Sequence, residues 1–308
     1  MIAVVAFGLM LLALPGAARS RLRLMGPSIE SRLAAGSLAF GLGLVGIGLV
    51  SMSVTLFEGV GSHRLAAMCR RLIHDVLAGG HFGGVVAVLL LAVLSVRAVV
   101  GWRRLRRIQK AAVIEPWVGH HQWQDENYEL VVVPTADFVA LTVGGVARQV
   151  VVSDGLIKAL SDHELRMVVR HELAHLRRRH HTYLAIAALV DCIFGWIPVV
   201  RSSTRALRLA VERSADEEAA GDDPAARRAL YSALAAATRC LPQPGIAGFG
   251  GVEMVFERLR ALESKPLTSR PRWSYVAVGF VASAAASLWL VSALLVGVSV
   301  LSVEICHY

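Results

Sequence analysis

Two imidazoles and a carboxylate stand in one short run, His171-Glu172-Leu173-Ala174-His175. Residues four apart on a helix share a face, so both histidines can hold a single Zn²⁺. Glu172 then lies beside the open coordination position, where it can take a proton from water. The pentapeptide alone specifies little, because apolar and charged residues produce it readily; its plain reading is an exposed cluster of helical charge. A catalytic zinc needs a third protein ligand and leaves one position for water. Glu212-Arg213-Ser214-Ala215-Asp216 offers a second helix with two carboxylates four apart, again on one face. Glu212 is the candidate third ligand. Asp216 is the candidate acceptor for the outer N–H of a ligand histidine, fixing its tautomer and orientation. Taken alone, this segment could be an ordinary solvated helix, with Glu217 and Glu218 adding to its charge. Together the two segments predict a metal site with Glu172 as catalytic base.

The elements that must carry these residues lie between positions 102 and 274. Short β-branched runs at 130–134, 138–143 and 149–153 are separated by turn residues, as in a small sheet, with Gly144-Gly145 marking the last turn. Ser161 opens a helix with Glu164 three residues on, a capping box. A later helix over 203–220 is stopped by Gly221 and Pro224. A Gly- and Pro-rich loop over 241–251 precedes an amphipathic helix near 252–263.

Composition sets this insert in a membrane protein. The chain has 308 residues, of which 55% are hydrophobic and 18% charged, and its mean hydropathy is +0.56. That excludes intrinsic disorder. Four apolar blocks, at about 1–18, 33–57, 76–101 and 275–303, each approach the 20 or so residues that cross a bilayer. The first resembles a signal peptide but has its arginines after the apolar stretch, not before it, so a retained helix is expected. Net charge is +9, and only Lys110, Lys158 and Lys265 of the basic residues are lysines. The arginines gather beside the apolar blocks, as in membrane proteins, and without a basic face carrying stacking aromatics no direct nucleic-acid binding is expected. Arg19, Arg21, Arg23 and Arg32 follow the first block; Arg103, Arg104, Arg106, Arg107 and Lys110 follow the third. The positive-inside rule then puts the 102–274 insert in the cytoplasm and both termini outside. Cys69, Cys192, Cys240 and Cys306 form no Cys-x-x-Cys pair, which argues against a thiolate zinc site or a disulfide framework.

The apolar stretch 182–200 tempts as a fifth span. A full crossing would put His171 and His175 on the opposite side from Glu212, and three ligands could not meet on one ion. It must therefore return, as a buried helix or as a shallow hairpin breaking near Gly195 and Pro198. Asp191 within it is either an intramembrane functional carboxylate or a partnered interior one. His63, Cys69, His74 and His81 could form an external metal sensor, though amphipathic packing is the simpler reading. His120-His121 and His180-His181 read as polar surface, with His180 or Tyr183 as weak candidates for oxyanion stabilisation. The 138–143 run is either a core strand or an exposed edge that adds a substrate strand.

With its downstream Glu212-x-x-x-Asp216, the His-Glu-x-x-His segment resembles the gluzincin metallopeptidases. More closely, it resembles the BlaR/MecR-type membrane metallopeptidases, as do Val150-Val-Val-Ser-Asp-Gly-Leu156, Asp162-His-Glu-Leu165 and Arg258-Leu-Arg-Ala-Leu262. The resemblance implies His171, His175 and Glu212 as zinc ligands and Glu172 as base. It further implies a zinc endopeptidase that senses a signal and cleaves, or triggers cleavage of, a cytoplasmic repressor, for which a winged-helix protein is the candidate partner. The penicillin-binding sensor domain of the antibiotic-sensing members is not expected. No serine stands three before any lysine, as that domain's Ser-x-x-Lys nucleophile requires. The fold expected is thus mainly α, with three membrane helices in 1–101, a cytoplasmic α+β zincin-like domain in 102–274 and a final helix with a short tail in 275–308. Rival readings are a membrane quality-control or processing protease similar to the Ste/Htp type, an intramembrane protease and a non-catalytic membrane receptor. A four-span transporter is weaker, because the spans hold almost no charge. Arg170 and Arg177–Arg179 oppose zinc at bilayer depth, where charge is costly.

Overall fold

The computed structural model describes residues 2–54, 80–112, 129–143, 149–240 and 251–264. The chain is mainly helical and divides into two compact units. The 275–303 block lies outside the described residues. So do the 58–75 connection with His63, Cys69 and His74, the His120-His121 pair, the Gly144-Gly145 turn and the 241–250 loop. Nothing is described of the His81 side chain.

One unit takes in Met1–Leu14 and Gly36–Val100. Helix α1 (Ile2–Ala17) contains Pro15, and a short α2 (Arg19–Leu22) with a 3₁₀ turn (Arg23–Met25) follows it. Helix α3 spans Pro27–Val54 and α4 spans Gly80–Ala112. The backbones of α1 and α3 touch at paired glycines: a Cβ on Gly8 would stand 2.9 Å from the Gly41 carbonyl oxygen, and one on Gly41 2.8 Å from that of Gly8. Ser37 Oγ donates to the Leu11 carbonyl at 2.6 Å, and Leu12 and Leu38 are fully buried. Pro27–Ser53 and Gly83–Arg107 are long and apolar enough to cross a membrane. A third span results if α1 is counted with Arg19–Met25, to which it is bent by 61°. The second helix starts at Pro27 rather than near 33. Gly26, at φ 81°, breaks the chain, and Pro27 is pre-set for a first helical position. The third runs on to Ala112 because Arg, Lys and Gln are good helix formers that carry it past the apolar block.

The other unit takes in Pro15–Ala35 and Gly101–Thr268. Its sheet comprises β1 (Glu129–Val133), β2 (Ala140–Val143) and β3 (Gln149–Ser153) in the order β1-β3-β2. β1 and β3 are parallel, with Val131 opposite Val151; β2 is antiparallel to β3, with Leu141 opposite Val151. Central β3 buries Val150, Val151 and Val152, and β2 is an edge, starting two residues later than the 138–143 run suggested. Ser153 caps α5 (Asp154–Ala159) by accepting from Leu156 N. Next comes α6 (Asp162–Arg177), with the Ser161–Glu164 capping box in place. Helices α7 (His180–Phe194), α8 (Pro198–Ala220), α9 (Pro224–Cys240) and α10 (Gly251–Glu263) complete the unit.

α6 is buried from two directions. Val169 and Leu173 join Leu130, Val150, Val152 and Leu156 over the sheet, while Met167 joins Ala219, Ala226, Leu230 and Leu262 of α8, α9 and α10. The 182–200 stretch is a helix and a turn, not a span. Its turn needs Gly195, where a Cβ would collide with the Asp191 carbonyl oxygen, and Pro198 then opens α8. α8 therefore begins five residues before the 203 start read from the sequence. Asp191 is a partnered carboxylate, 2.8 Å from Arg208 Nη2 and accepting from Thr204 Oγ1.

Candidate metal centre

Helix α6 presents His171, Glu172 and His175 toward α8, which presents Glu212 and Asp216. His171 Nε2 and His175 Nε2 stand 3.1 Å apart. Glu212 Oε2 is 3.5 Å from the first, and Glu212 Oε1 is 3.8 Å from the second. The three ligand atoms lie within 4.8 Å of one another. Donors bound to one zinc at about 2.1 Å in a tetrahedral array stand roughly 3.4 Å apart, so the spacing fits one ion. The donor set, two imidazoles and a carboxylate, suits the same metal.

The outer nitrogens of both histidines are also engaged. His171 Nδ1 is 2.9 Å from Asp216 Oδ1, an ion-pair approach without the alignment of a full hydrogen bond. His175 Nδ1 is 3.1 Å from His180 Nδ1, and the two rings meet edge-on with centroids 4.9 Å apart. Arg258 of α10 grips both carboxylates of α8. Its Nε and Nη2 each donate to Asp216 at 2.8 Å, and its Nη1 lies 2.9 Å from Glu212 Oε2. From edge strand β2, Thr142 Oγ1 donates to Glu172 Oε2 at 2.6 Å.

Electrostatics follow from this packing. Burial raises the Glu172 carboxyl above the usual range, against the opposing pull of His171 and the Thr142 hydroxyl. Burial would raise Glu212 as well, but the Arg258 guanidinium and the two imidazoles hold it well below that range. In Asp216 the same guanidinium overcomes burial and the carboxyl is held near 2. His171 is raised to about 9, since Asp216 and Glu212 outweigh its burial. His175 is lowered to about 4 by burial, which Glu212 only partly offsets. His180, buried beside His175, is also lowered to about 4 and is neutral at pH 7. One carboxylate is thus poised to accept a proton while the other two stay charged.

A cavity of about 480 Å³ opens on these groups, walled by Phe138, Leu141, Val168, Leu184, Leu230 and Leu234.

Residues 81–254 match the sequence model of the BlaR1 peptidase family M56, more than half of the chain. The chain belongs to that family. No curated protein and no solved structure matches it. Peptidases of M56 are metallopeptidases, and the matched segment of this M56 peptidase carries α6 and α8 with His171, Glu172, His175, Glu212 and Asp216. Arg258 lies four positions past it.

All five residues singled out in the sequence of this M56 peptidase meet at one place. Three further participants escape a reading by spacing. Thr142 comes from a strand, Arg258 from a helix 42 residues beyond its partner, and His180 from the helix after the motif. His180 also corrects the reading of His180-His181 as surface: His181 is exposed, but His180 is only 1% exposed. The physical reason is the turn between α6 and α7. Arg179 sits at φ 53°, a left-handed conformation that reverses the chain and folds His180 back onto His175. Since non-glycine residues seldom adopt it, the sequence offers no sign of that reversal.

Proposed function

We propose that this M56 peptidase is a zinc endopeptidase of the cell membrane, acting on a cytoplasmic or juxtamembrane protein segment. The observation that carries the reading is the convergence of His171 Nε2, His175 Nε2 and the Glu212 carboxylate within 4.8 Å, with Glu172 lining the same cavity. His171, His175 and Glu212 would hold the ion. When bound, zinc would polarise the scissile carbonyl and acidify a water molecule. Glu172 would take one proton from the attacking water as its oxygen bonds to the scissile carbonyl carbon, and would pass that proton to the amine nitrogen as the C–N bond breaks. Its burial suits the first of these transfers, because a carboxylate with a raised pKa accepts a proton more readily than an ordinary one. Thr142 holds Oε2 and so fixes the rotamer that presents the other oxygen. Asp216 orients His171, and Arg258 keeps Glu212 and Asp216 charged and in place.

The apolar walls of the cavity favour a substrate with a bulky apolar side chain next to the cleaved bond. Among the described residues, edge strand β2 pairs with β3 alone, which suits an extended peptide added alongside it. Four spans with the 102–274 insert in the cytoplasm would bring this site within reach of a soluble repressor, and signal-dependent cleavage of such a protein is the substrate reading we favour. The test uses the full-length protein in detergent or nanodiscs, with zinc measured by mass spectrometry and cleavage followed on a protein substrate. Glu172→Gln should retain about one zinc per chain and lose cleavage by about a hundredfold or more. Glu212→Ala should lose both. Undiminished cleavage by Glu172→Gln would refute the role of Glu172, and an unaltered zinc content in Glu212→Ala would refute the ligand set.

A further inference from the structure

Helices α7 and α8 meet at the connection Gly195-Trp196-Ile197, and this tip has no part in the metal centre. Trp196 is 65% exposed and Val199 41%, an uncommon exposure for a large aromatic. The flanks of the tip are seated on the cytoplasmic-side ends read for two apolar helices. Gly16, at the end of α1, donates its backbone N–H to Ser203 Oγ at 2.9 Å, and a Cβ on Gly16 would collide with Ser202 Oγ. Gly101, within the candidate span Gly83–Arg107, lies so close to Cys192 that a Cβ there would strike its sulfur. Both glycines stand two or three residues before the arginines that end their apolar blocks, Arg19 and Arg103. They therefore mark the depth at which those helices leave the hydrocarbon.

Trp196 lies only four residues beyond Cys192, in the turn that follows the end of α7 at Phe194, so the tip stays close to the level of the Gly101 contact. A second tryptophan of the same unit, Trp102, is 48% exposed and carries the Arg106 guanidinium 4.7 Å over its ring. Tryptophans beside arginines at this depth are the habit of a membrane interface, where an amphipathic ring meets headgroups. Two polar groups of the hairpin find partners within it. Arg201 Nε donates to the Gly195 carbonyl at 2.8 Å, and Arg208 neutralises Asp191. Arg201 also keeps a positive charge at the tip, complementary to lipid phosphate.

We propose that the α7–α8 tip is a lipid-docking surface: Trp196, Ile197 and Val199 enter the acyl–headgroup boundary of the inner leaflet, with Arg201 at the phosphate level. The occupant is the bilayer itself, not a protein partner. The hairpin thus lies on the membrane without crossing it, and anchors α8, which carries Glu212, at its first turn. This inference rests on the membrane spans and is independent of zinc or peptidase activity.

The test is tryptophan quenching in full-length protein reconstituted into vesicles of phosphatidylcholine and phosphatidylglycerol. The emission of residue 196 is taken as the difference between the wild type and Trp196→Phe, and that of residue 102 from Trp102→Phe. Lipid brominated near the headgroup end of its chains should reduce the Trp196 share at least twofold, and aqueous iodide should leave it nearly unchanged. Quenching by iodide and not by brominated lipid would place the tip in water and overturn the proposal. Protection from both would mean a protein cover, and would overturn it equally. Trp102 serves as the control for the span: if it is quenched by lipid and Trp196 is not, α4 spans as read and only the docking surface fails. If neither is quenched by lipid, the span reading falls with it.

Discussion

Arg258 is the residue on which the charge balance of the centre turns. Its guanidinium lies within 2.9 Å of both Glu212 and Asp216; Asp216 is buried, Arg258 nearly so and Glu212 partly. Removing one member of such a cluster leaves uncompensated charge, a cost of about 3–5 kcal/mol. Arg258→Ala should therefore lower the unfolding free energy by about that amount in a denaturant titration and raise the pKa of both carboxyls. Arg258→Lys keeps the charge but loses the two-pronged grip on Asp216, so it should regain only part of the stability. His180 makes a subtler case. Held neutral by burial, it can accept the outer N–H of His175, the same service a carboxylate or carbonyl gives in other metal sites. His180→Ala should weaken zinc affinity by about 10–100-fold in a chelator competition, with His180→Asn restoring part of it. An unchanged affinity would reduce the ring contact to packing. The ligand residues were legible in the sequence because helix geometry forces i, i+4 spacing on two donors of one ion. Thr142 was not, and Arg258 and His180 were picked out without the roles they have here, because each reaches the site through a tertiary turn that leaves no period.

At the scale of elements, the connection between α1 and α3 is built into the catalytic unit, although it lies nearly 140 residues before α6. Arg19 and Arg23 both bind Glu257, the neighbour of Arg258, the first at 2.6 Å. Glu30 is 2% exposed and pairs with Arg213, the neighbour of Glu212, at 3.4 Å. Arg178 donates to Ser28 Oγ at 2.6 Å and to Glu218. These contacts place the 19–30 segment one residue from the metal ligand and one from its supporting arginine. Glu30→Ala leaves Arg213 buried without its carboxylate and should cost about 3–5 kcal/mol, read as a lower midpoint of thermal or denaturant unfolding. A loss under 1 kcal/mol would mean that Arg213 finds water or another partner. The sequence reading took 102–274 as the whole catalytic domain. It could see the apolar blocks and the capping box, since these are local. It could not see that residues 15–35 pack with that domain, because Glu30 and Arg213 look like ordinary loop and helix charges until they meet. The return of the 182–200 stretch was legible for a different reason: the ligand set left no other path.

For the whole molecule, sidedness decides what the site can reach. Arginine clusters after the first and third apolar blocks both point to a cytoplasmic insert. The structure adds that Arg19 and Arg23 are tied to α10 of the catalytic unit, so the first connection and the insert must share one side of the membrane. Sidedness can be read from Lys158, whose side chain is 78% exposed. With the four native cysteines replaced, Lys158→Cys supplies one thiol on the surface of the insert. A membrane-impermeant maleimide should label it in inside-out vesicles and leave it untouched in right-side-out vesicles, unless detergent is added. Labelling only from the outer face would remove a cytoplasmic repressor as substrate while leaving the metal centre intact. The chemistry would then act on a segment outside the cell, and the arginines would mark an exception to the positive-inside rule. Labelling as expected would leave the substrate as a segment accessible from the cytoplasm, which is the condition under which an apolar cavity beside an edge strand could select its peptide.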